Sequence, residues 1–164
     1  MYSKILVPLD GREFGEIAVR HAEEIGQVAK AEIILFQVVQ NPIRSYPLAA
    51  GQTEVTKATE EVTNKAGAYL QKLAAPLTAK GIKVRCDIEV GEPTRRIIDK
   101  AQSEDVDLIV MSSHNEGDLY KLVVGSVAEK VLHGTTRPVL LVKPEKVRIA
   151  HHVDDQETFE NKAG

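Results

Sequence analysis

The chain has 164 residues, of which 43% are hydrophobic and 27% charged, with a formal net charge of −3. That length suits one domain with a hydrophobic core that needs no metal or disulfide staple, and the slight acidity leaves no electrostatic footprint for DNA or RNA. The lone cysteine, Cys86, excludes an internal disulfide, and no apolar run reaches the roughly 18–20 residues of a membrane helix, so neither nucleic acid nor membrane is expected as a partner. The N-terminus runs straight into an apolar strand instead of a signal-peptide core, which points to the cytoplasm.

Ile5 to Leu9 is a continuous apolar run stopped by Asp10-Gly11, the pattern of a buried parallel strand ending at a turn. From Arg12 to Ala31 the residues Ile17, Ala18, His21, Ala22, Ile25 and Val28 recur at helical spacing, with Glu13 and Glu16 in the first turn where the helix dipole favours acids. This predicts a crossover helix. Ile33 to Val39 is β-branched and apolar and predicts a second central strand. Pro42, Pro47 and Gly51 then mark residues 40–52 as a long loop of the kind that often carries function.

Glu54 to Lys80 predicts a long helix with Val62, Ala66, Tyr69, Leu70, Leu73 and Leu77 on one face; Pro76 is expected to kink it or end it early, and Gly81 to stop it. Ile82, Val84, Cys86, Ile88 and Val90 alternate with Lys83, Arg85, Asp87 and Glu89. That predicts a strand that is wet on one face or lies at a sheet edge, with Cys86 as a core residue and not a reactive thiol. Gly91-Glu92 reads as a turn, and Pro93 opens a helix through Ile97, Ile98 and Ala101. Val106 to Met111 is a fourth buried strand, Gly125-Ser126 opens a short helix through Val127, Val131 and Leu132, and Pro138 to Val142 is a fifth strand.

Strands alternating with helices at this spacing predict an α/β fold: a five-stranded parallel sheet covered by helices on both faces, joined by right-handed crossovers. After Lys146 the chain is polar and aperiodic, so residues 1–146 are expected to form the domain and residues 147–164 a mobile tail. The adjacent His151 and His152 beside Asp154, Asp155 and Glu157 read as solvated side chains more readily than as a metal site.

In an open parallel sheet, ligands bind beyond the carboxyl ends of the strands, where the strand order reverses. Pro8-Leu9-Asp10, Gln37-Val38-Val39 and the segment from Met111 to Ser126 all fall there. The last leads into a helix N-terminus, whose unpaired N–H groups and dipole attract an anion such as phosphate. Gly125 lets a backbone come close, and the Ser126 hydroxyl can either cap the helix or donate to a phosphate oxygen. Capping is the ordinary reading of Gly-Ser before a helix, and Asp10 has the same alternative at the first helix. Their meeting at one sheet edge favours a binding site. A hydrolytic triad of Ser113, His114 and Asp118 lacks the strained turn such a nucleophile needs, so His114 reads as a phosphate contact, a dimer contact or an exposed loop residue. His133, before Gly134, suits a helix C-terminus.

Five segments in order resemble the universal stress protein family. They are Ile5-Leu6-Val7-Pro8-Leu9-Asp10-Gly11, Gly91-Glu92-Pro93, Val106-Asp107-Leu108-Ile109-Val110-Met111, Gly125-Ser126-Val127-Ala128-Glu129-Lys130-Val131-Leu132 and Thr136-Arg137-Pro138-Val139-Leu140-Leu141-Val142. The likeness runs from about Tyr2 to Lys143. It implies an adenine nucleotide α-hydrolase-like fold with sheet order 3-2-1-4-5, and a homodimer made by pairing the last strands, here Val139, Leu140, Leu141 and Val142. It also implies binding of ATP or a related adenine nucleotide, with Mg2+, through a signature G-x2-G-x9-G-[ST] after the fourth strand. On this chain Asp10 and Val38 then hold the nucleoside, the backbone of Pro8 and Leu9 lines the adenine side, and Met111, Ser112, His114, Asn115, Gly125, Ser126 and Val127 complete the nucleotide-binding set.

The first two signature glycines fall on Ser112 and Asn115, while Gly125-Ser126 keeps the last pair. Asparagine tolerates a left-handed backbone but brings a side chain into phosphate space. Glu116 and Asp118 add negative charge that Mg2+ or Lys121 has to offset, so binding is expected to be weak. A phosphoacceptor receiver domain would explain Asp10 and Lys143, yet Val90-Gly91-Glu92 has no acceptor aspartate; Asp10-Gly11-Arg12-Glu13 is not a dinucleotide fingerprint, and no Walker pattern occurs. Two expectations stand: a dimeric stress-response regulator that binds adenine nucleotide, with any ATP hydrolysis slow, or a dimeric stress-response interaction protein, with an unidentified protein partner, whose nucleotide site has decayed. Retention of Asp10, Val38, Gly125 and Ser126 favours the first.

Overall fold

The computed structural model describes residues 1–40, 52–113 and 124–143. Within these lie the strands β1 (Lys4–Leu9), β2 (Glu32–Val39), β3 (Val84–Val90), β4 (Leu108–Ser112) and β5 (Val139–Val142). The helices are α1 (Glu16–Ala29), α2 (Gln52–Ala79), α3 (Pro93–Ser103) and α4 (Ser126–Gly134), and a 3-10 turn, Glu13–Gly15, precedes α1. The strands form one parallel sheet in the order β3-β2-β1-β4-β5. Both the five-stranded parallel architecture and the strand order implied by the resemblance are therefore present.

The central strand shows why its sequence is an unbroken apolar run. Ile5, Leu6 and Val7 are all 0% exposed because both faces of β1 are covered. Ile5, Val7 and Leu9 join Ile33 and Leu35 of β2 in one core with Ala18, Ala22 and Leu70 from α1 and α2. Leu6, Ile34, Phe36, Ile109 and Met111 form a second core on the other face with Ile97, Ala101, Ala128 and Val131 from α3 and α4. The period-2 alternation of each strand thus feeds two separate layers. β3 sits at the edge, its Val84, Cys86 and Ile88 packed on the first core. Its other face carries Arg85, Asp87 and Glu89, and Lys100 of α3 reaches Asp87 at 2.8 Å and Glu104 at 3.5 Å. Cys86 is half-buried, and burial followed by the neighbouring Asp87 pushes its thiol up, away from reactivity.

Three helical details differ from the pattern read in sequence. The helix expected from Arg12 begins at Glu16, after the 3-10 turn, and His21 and Val28 of the expected apolar stripe are exposed, Val28 at 86%. Its buried face is instead Ala18, Val19, Ala22 and Gly26, small residues that let α1 lie close to the sheet; a Cβ on Gly26 would sit 3.0 Å from Ile33 Cδ1. Pro76 does not end α2, which runs on to Ala79. The proline lies on the exposed side, where the carbonyl its missing N–H leaves is open to solvent, while Leu70, Ala74 and Leu77 hold the other side in the core. Leu132, placed on the apolar side of α4, is 45% exposed.

Asp107 stitches the start of β1 to the turn before β4. One of its carboxylate oxygens accepts from Ser3 N–H at 2.7 Å, Ser3 O–H at 2.7 Å and Lys4 N–H at 2.9 Å. These bonds, the Ser3 backbone first, lower its pKa from 3.8 to about 2. Since the folded-state value is depressed, the stability it contributes is complete above pH 3.8 and is lost as pH falls toward 2. Asp107→Asn is expected to cost about 1–2 kcal/mol at pH 7, with the gap to the unaltered chain closing near pH 2 in urea titrations.

Candidate functional site

A cavity of about 170 Å3 opens at the carboxyl ends of β1, β2 and β4, on the face covered by α3 and α4. The strand order explains its place: β1 leads out to β2 on one side, while β4 lies against its other side, so the connections diverge and leave a crevice. Phe36 and Val38, two residues apart on β2, present the same face to it, and Pro8 and Met111 come from the ends of β1 and β4. The floor is apolar. Polar groups stand at the rim: Asp10 and Arg12 beyond β1, Ser112 at the end of β4, and Gly125-Ser126 where α4 starts.

Two helices begin at this cavity, and their first turns differ. α3 opens with Pro93 under the cap residue Glu92, whose carboxylate accepts from Thr94 N–H at 3.1 Å and Arg95 N–H at 2.7 Å. These bonds, led by that from Arg95, hold the Glu92 carboxyl below its ordinary pKa. α4 begins with Gly125 as the cap residue and makes no side-chain cap bond. Ser126 is the first helical residue, so the capping role open to its hydroxyl in the sequence is not taken up. The N–H groups of Ser126, Val127 and Ala128 have no intrahelical acceptor and face the cavity end of the helix.

Asp10 does not cap the first helix either. Its Oδ1 accepts from Arg12 N–H at 3.1 Å, a local turn bond, and α1 starts from Gly15 without a side-chain cap. Tyr69 of α2 reaches the same turn, its hydroxyl donating to Arg12 O at 3.5 Å; burial, and then the charges of Glu16 and Asp10, push that phenol well up. Ser113 is turned inward: its N–H and hydroxyl both donate to Val142 O, at 3.0 and 3.4 Å, and it is 8% exposed, a structural role and not a nucleophile's.

Of the eleven residues singled out for the site, nine line this one cavity: Pro8, Leu9, Asp10, Val38, Met111, Ser112, Gly125, Ser126 and Val127. His114 and Asn115 lie outside the described residues, as do Glu116, Asp118, Lys121, the loop after Gln40 and the histidine-bearing tail. Val139–Val142 is an outer strand of the sheet, as the edge reading requires. Sequence reasoning missed Arg12, Phe14, Gly15, Phe36, Pro93 and Ile97. Phe36 was within reach, since it shares a strand face with Val38. The others come from the turn after β1 and from the start of α3, which only the folded sheet brings together. Among the described residues, no group of three or more histidine, cysteine, aspartate or glutamate side chains could hold a metal ion, and no helix is long and apolar enough to cross a membrane.

The family model described as the universal stress protein family matches residues 1–143. The chain belongs to the universal stress protein family. A universal stress protein of Methanocaldococcus jannaschii is 34% identical over 155 residues, covering 87% of this chain and 96% of that one. The solved structure of that protein superposes with a TM-score of 0.78 at 33% identity, covering 88% of this chain and 98% of its own. Three more distant universal stress protein structures share the fold and were solved as complexes. One is bound to cAMP (23% identity, TM-score 0.62, covering 87% of this chain and 97% of that one). An Arabidopsis thaliana protein is bound to AMP (14%, 0.61, 89% and 98%), and one from Archaeoglobus fulgidus to dAMP (21%, 0.57, 87% and 98%).

Proposed function

We propose that this universal stress protein binds an adenine nucleotide in the cavity between α3 and α4, and acts as a dimeric stress-response regulator whose state follows occupancy of that site. The observation that carries the reading is the start of α4. Its cap residue is a glycine, it opens on the cavity, and its first-turn donors are left for an outside acceptor, whereas α3 beside it satisfies its own through Glu92. An anion at α4 gains those donors and the positive end of the helix dipole. The apolar floor of Phe36, Val38 and Met111 suits a base, and Asp10, which also lines the cavity, suits the sugar hydroxyls. Complexes of three structural neighbours with adenosine monophosphates support adenine as that base.

The residues fit the phosphate end of ATP at Gly125-Ser126 and Val127; bound ATP would bring Mg2+ as the charge partner of its phosphates. Ser112 and Asn115, in place of two signature glycines, keep the affinity low. Acid release and mass spectrometry of freshly purified protein, with calorimetric titration of AMP and Mg-ATP, tests the reading. Bound adenine nucleotide or saturable heat is expected. The absence of both signals would refute the proposal and leave the dimeric interaction protein with a decayed site as the function.

A further inference from the structure

Phe36 is the aromatic residue of the cavity floor, and its ring also meets a charge. Lys100 Nζ lies over that ring, 5.6 Å from its centroid. Ile97 of α3 lines the cavity, while Lys100, one turn further along the helix, does not. Phe36 is 0% exposed to solvent and borders the cavity, so one side chain touches both the ammonium and the space for a ligand.

The edge strand holds the ammonium in place. Phe36 of β2 stands opposite Asp87 of β3, so the two side chains leave the sheet on the same face. Lys100 Nζ lies 2.8 Å from Asp87 Oδ2, 3.5 Å from Glu104 Oε1 and 3.8 Å from Glu89 Oε1. Arg85 shares two of these acids, at 2.9 Å from Glu104 and 3.6 Å from Asp87. The Lys100 side chain is only 13% exposed. Burial acts to lower its pKa, but the bond to Asp87 and the charges of Asp87, Glu104 and Glu89 outweigh it, so the shift is upward and the group stays an ammonium.

The ion pairs by themselves join α3 to β3. Their placement over an aromatic ring has a further effect on the cavity. A cation over one face of a benzene ring fixes the tilt of the ring and draws its π electrons toward that face. The rest of the ring is then poorer in electrons and attracts an electron-rich ring system more strongly. A floor already held in orientation also loses less freedom when a base settles on it.

We propose that Lys100 is a positioning residue of the nucleotide site: acting through Phe36, it makes the cavity floor select a purine over a pyrimidine base. The proposal rests on the adenine-nucleotide reading given above and assigns the base preference of that same site to a residue outside the cavity.

Displacement calorimetry with AMP and UMP, which share sugar and phosphate, tests it on the unaltered full chain, Lys100→Met, Lys100→Arg and Phe36→Leu. UMP is taken to full displacement. The AMP-to-UMP affinity ratio is formed within each protein, so a change in stability or in phosphate binding cancels. Lys100→Met keeps the reach of the side chain without its charge and is expected to lower the ratio about fivefold, the scale of a desolvated cation–π contact. Lys100→Arg is expected to retain most of the preference, because a guanidinium also lies over aromatic rings. Phe36→Leu leaves the ion pairs in place and is expected to lower the ratio at least as far, with Lys100→Met adding nothing to it in the double variant. If Lys100→Met does not fold, Lys100→Gln, which keeps a donor for Asp87, takes its place. An unchanged ratio in the charge-removing variant or in Phe36→Leu, a further fall in the double variant, or equal losses with arginine and methionine overturns the proposal alone. No heat with AMP in the unaltered chain overturns the nucleotide reading together with it.

Discussion

Gly125→Val is expected to weaken adenine-nucleotide binding by about 100-fold. The glycine is not required by the chain's own conformation: at φ −55 and ψ 145 any residue fits. Its N–H is already committed to Ser113 O at 3.1 Å. Gly125, Ser126 and Val127 all line the cavity, so on the proposed reading a side chain at 125 stands between a phosphate and the N–H groups of Ser126 and Val127. Blocking two hydrogen bonds to a charged phosphate, at roughly 1.5 kcal/mol each, removes about 3 kcal/mol, or two decades of affinity. Valine is also a poorer helix cap than glycine, which costs about 1 kcal/mol of stability. A thermal melt beside the titration separates the two effects, because the variant stays folded while binding is lost. Undiminished affinity in a folded variant would place the phosphate elsewhere.

Leu140→Pro is expected to convert a dimer to a monomer. The sheet has two outer strands of different character. β3 alternates Arg85, Asp87 and Glu89 with its apolar residues and so discourages a second strand, whereas β5 reads Val-Leu-Leu-Val and pairs only with β4 among the described residues. Its Val139, Leu140 and Leu141 remain partly exposed in the single chain. Association of two copies along this edge would cover them, and a proline removes a backbone donor and would spoil the edge. Size-exclusion chromatography should show the unaltered chain at twice the monomer mass and the variant at the monomer mass. Leu140 also packs on the core shared by α1 and α2, so the variant's melting curve must show a folded protein. An unaltered chain that elutes as a monomer, or a folded variant that still dimerises, would exclude this edge as the interface.

Where a local pattern meets a single environment, it could be read directly. β1 and β2 are covered on both faces, so their apolar runs have one explanation, and Phe36, Ile34 and Leu35 are 0% exposed. The alternation of β3 allowed a strand wet on one face or a strand at a sheet edge, and β3 is an edge strand with its apolar face on the core. Helix faces were less legible. Val28 falls at helical spacing with Ile25 and Ile17 yet points to solvent, because α1 packs through Ala18, Ala22 and Gly26, whose small size brings the helix down on a different stripe. Pro76 misled for a related reason: a proline ends a helix when its neighbours have nothing else to hold them, and Leu70, Ala74 and Leu77 are held by the core.

The sequence by itself determined the class of fold, the strand order through the family it resembles, and the residue types at two rims of the cavity, Asp10 and Gly125-Ser126. The fold class follows from short-range periods and the rim residues from glycine and acid at fixed places after a strand, whereas the strand order came from the resemblance alone. Only the tertiary structure decided that α4 and not α3 has first-turn donors left over, since that depends on Glu92 folding back on its own helix. It also decided that Arg12 and Phe14 from the turn after β1, and Pro93 and Ile97 from the first half of α3, meet around the same space. No period in the chain records that meeting. It arises because parallel strands joined by crossovers bring the loops at their carboxyl ends to one edge, so residues far apart in sequence become neighbours through the strand order alone.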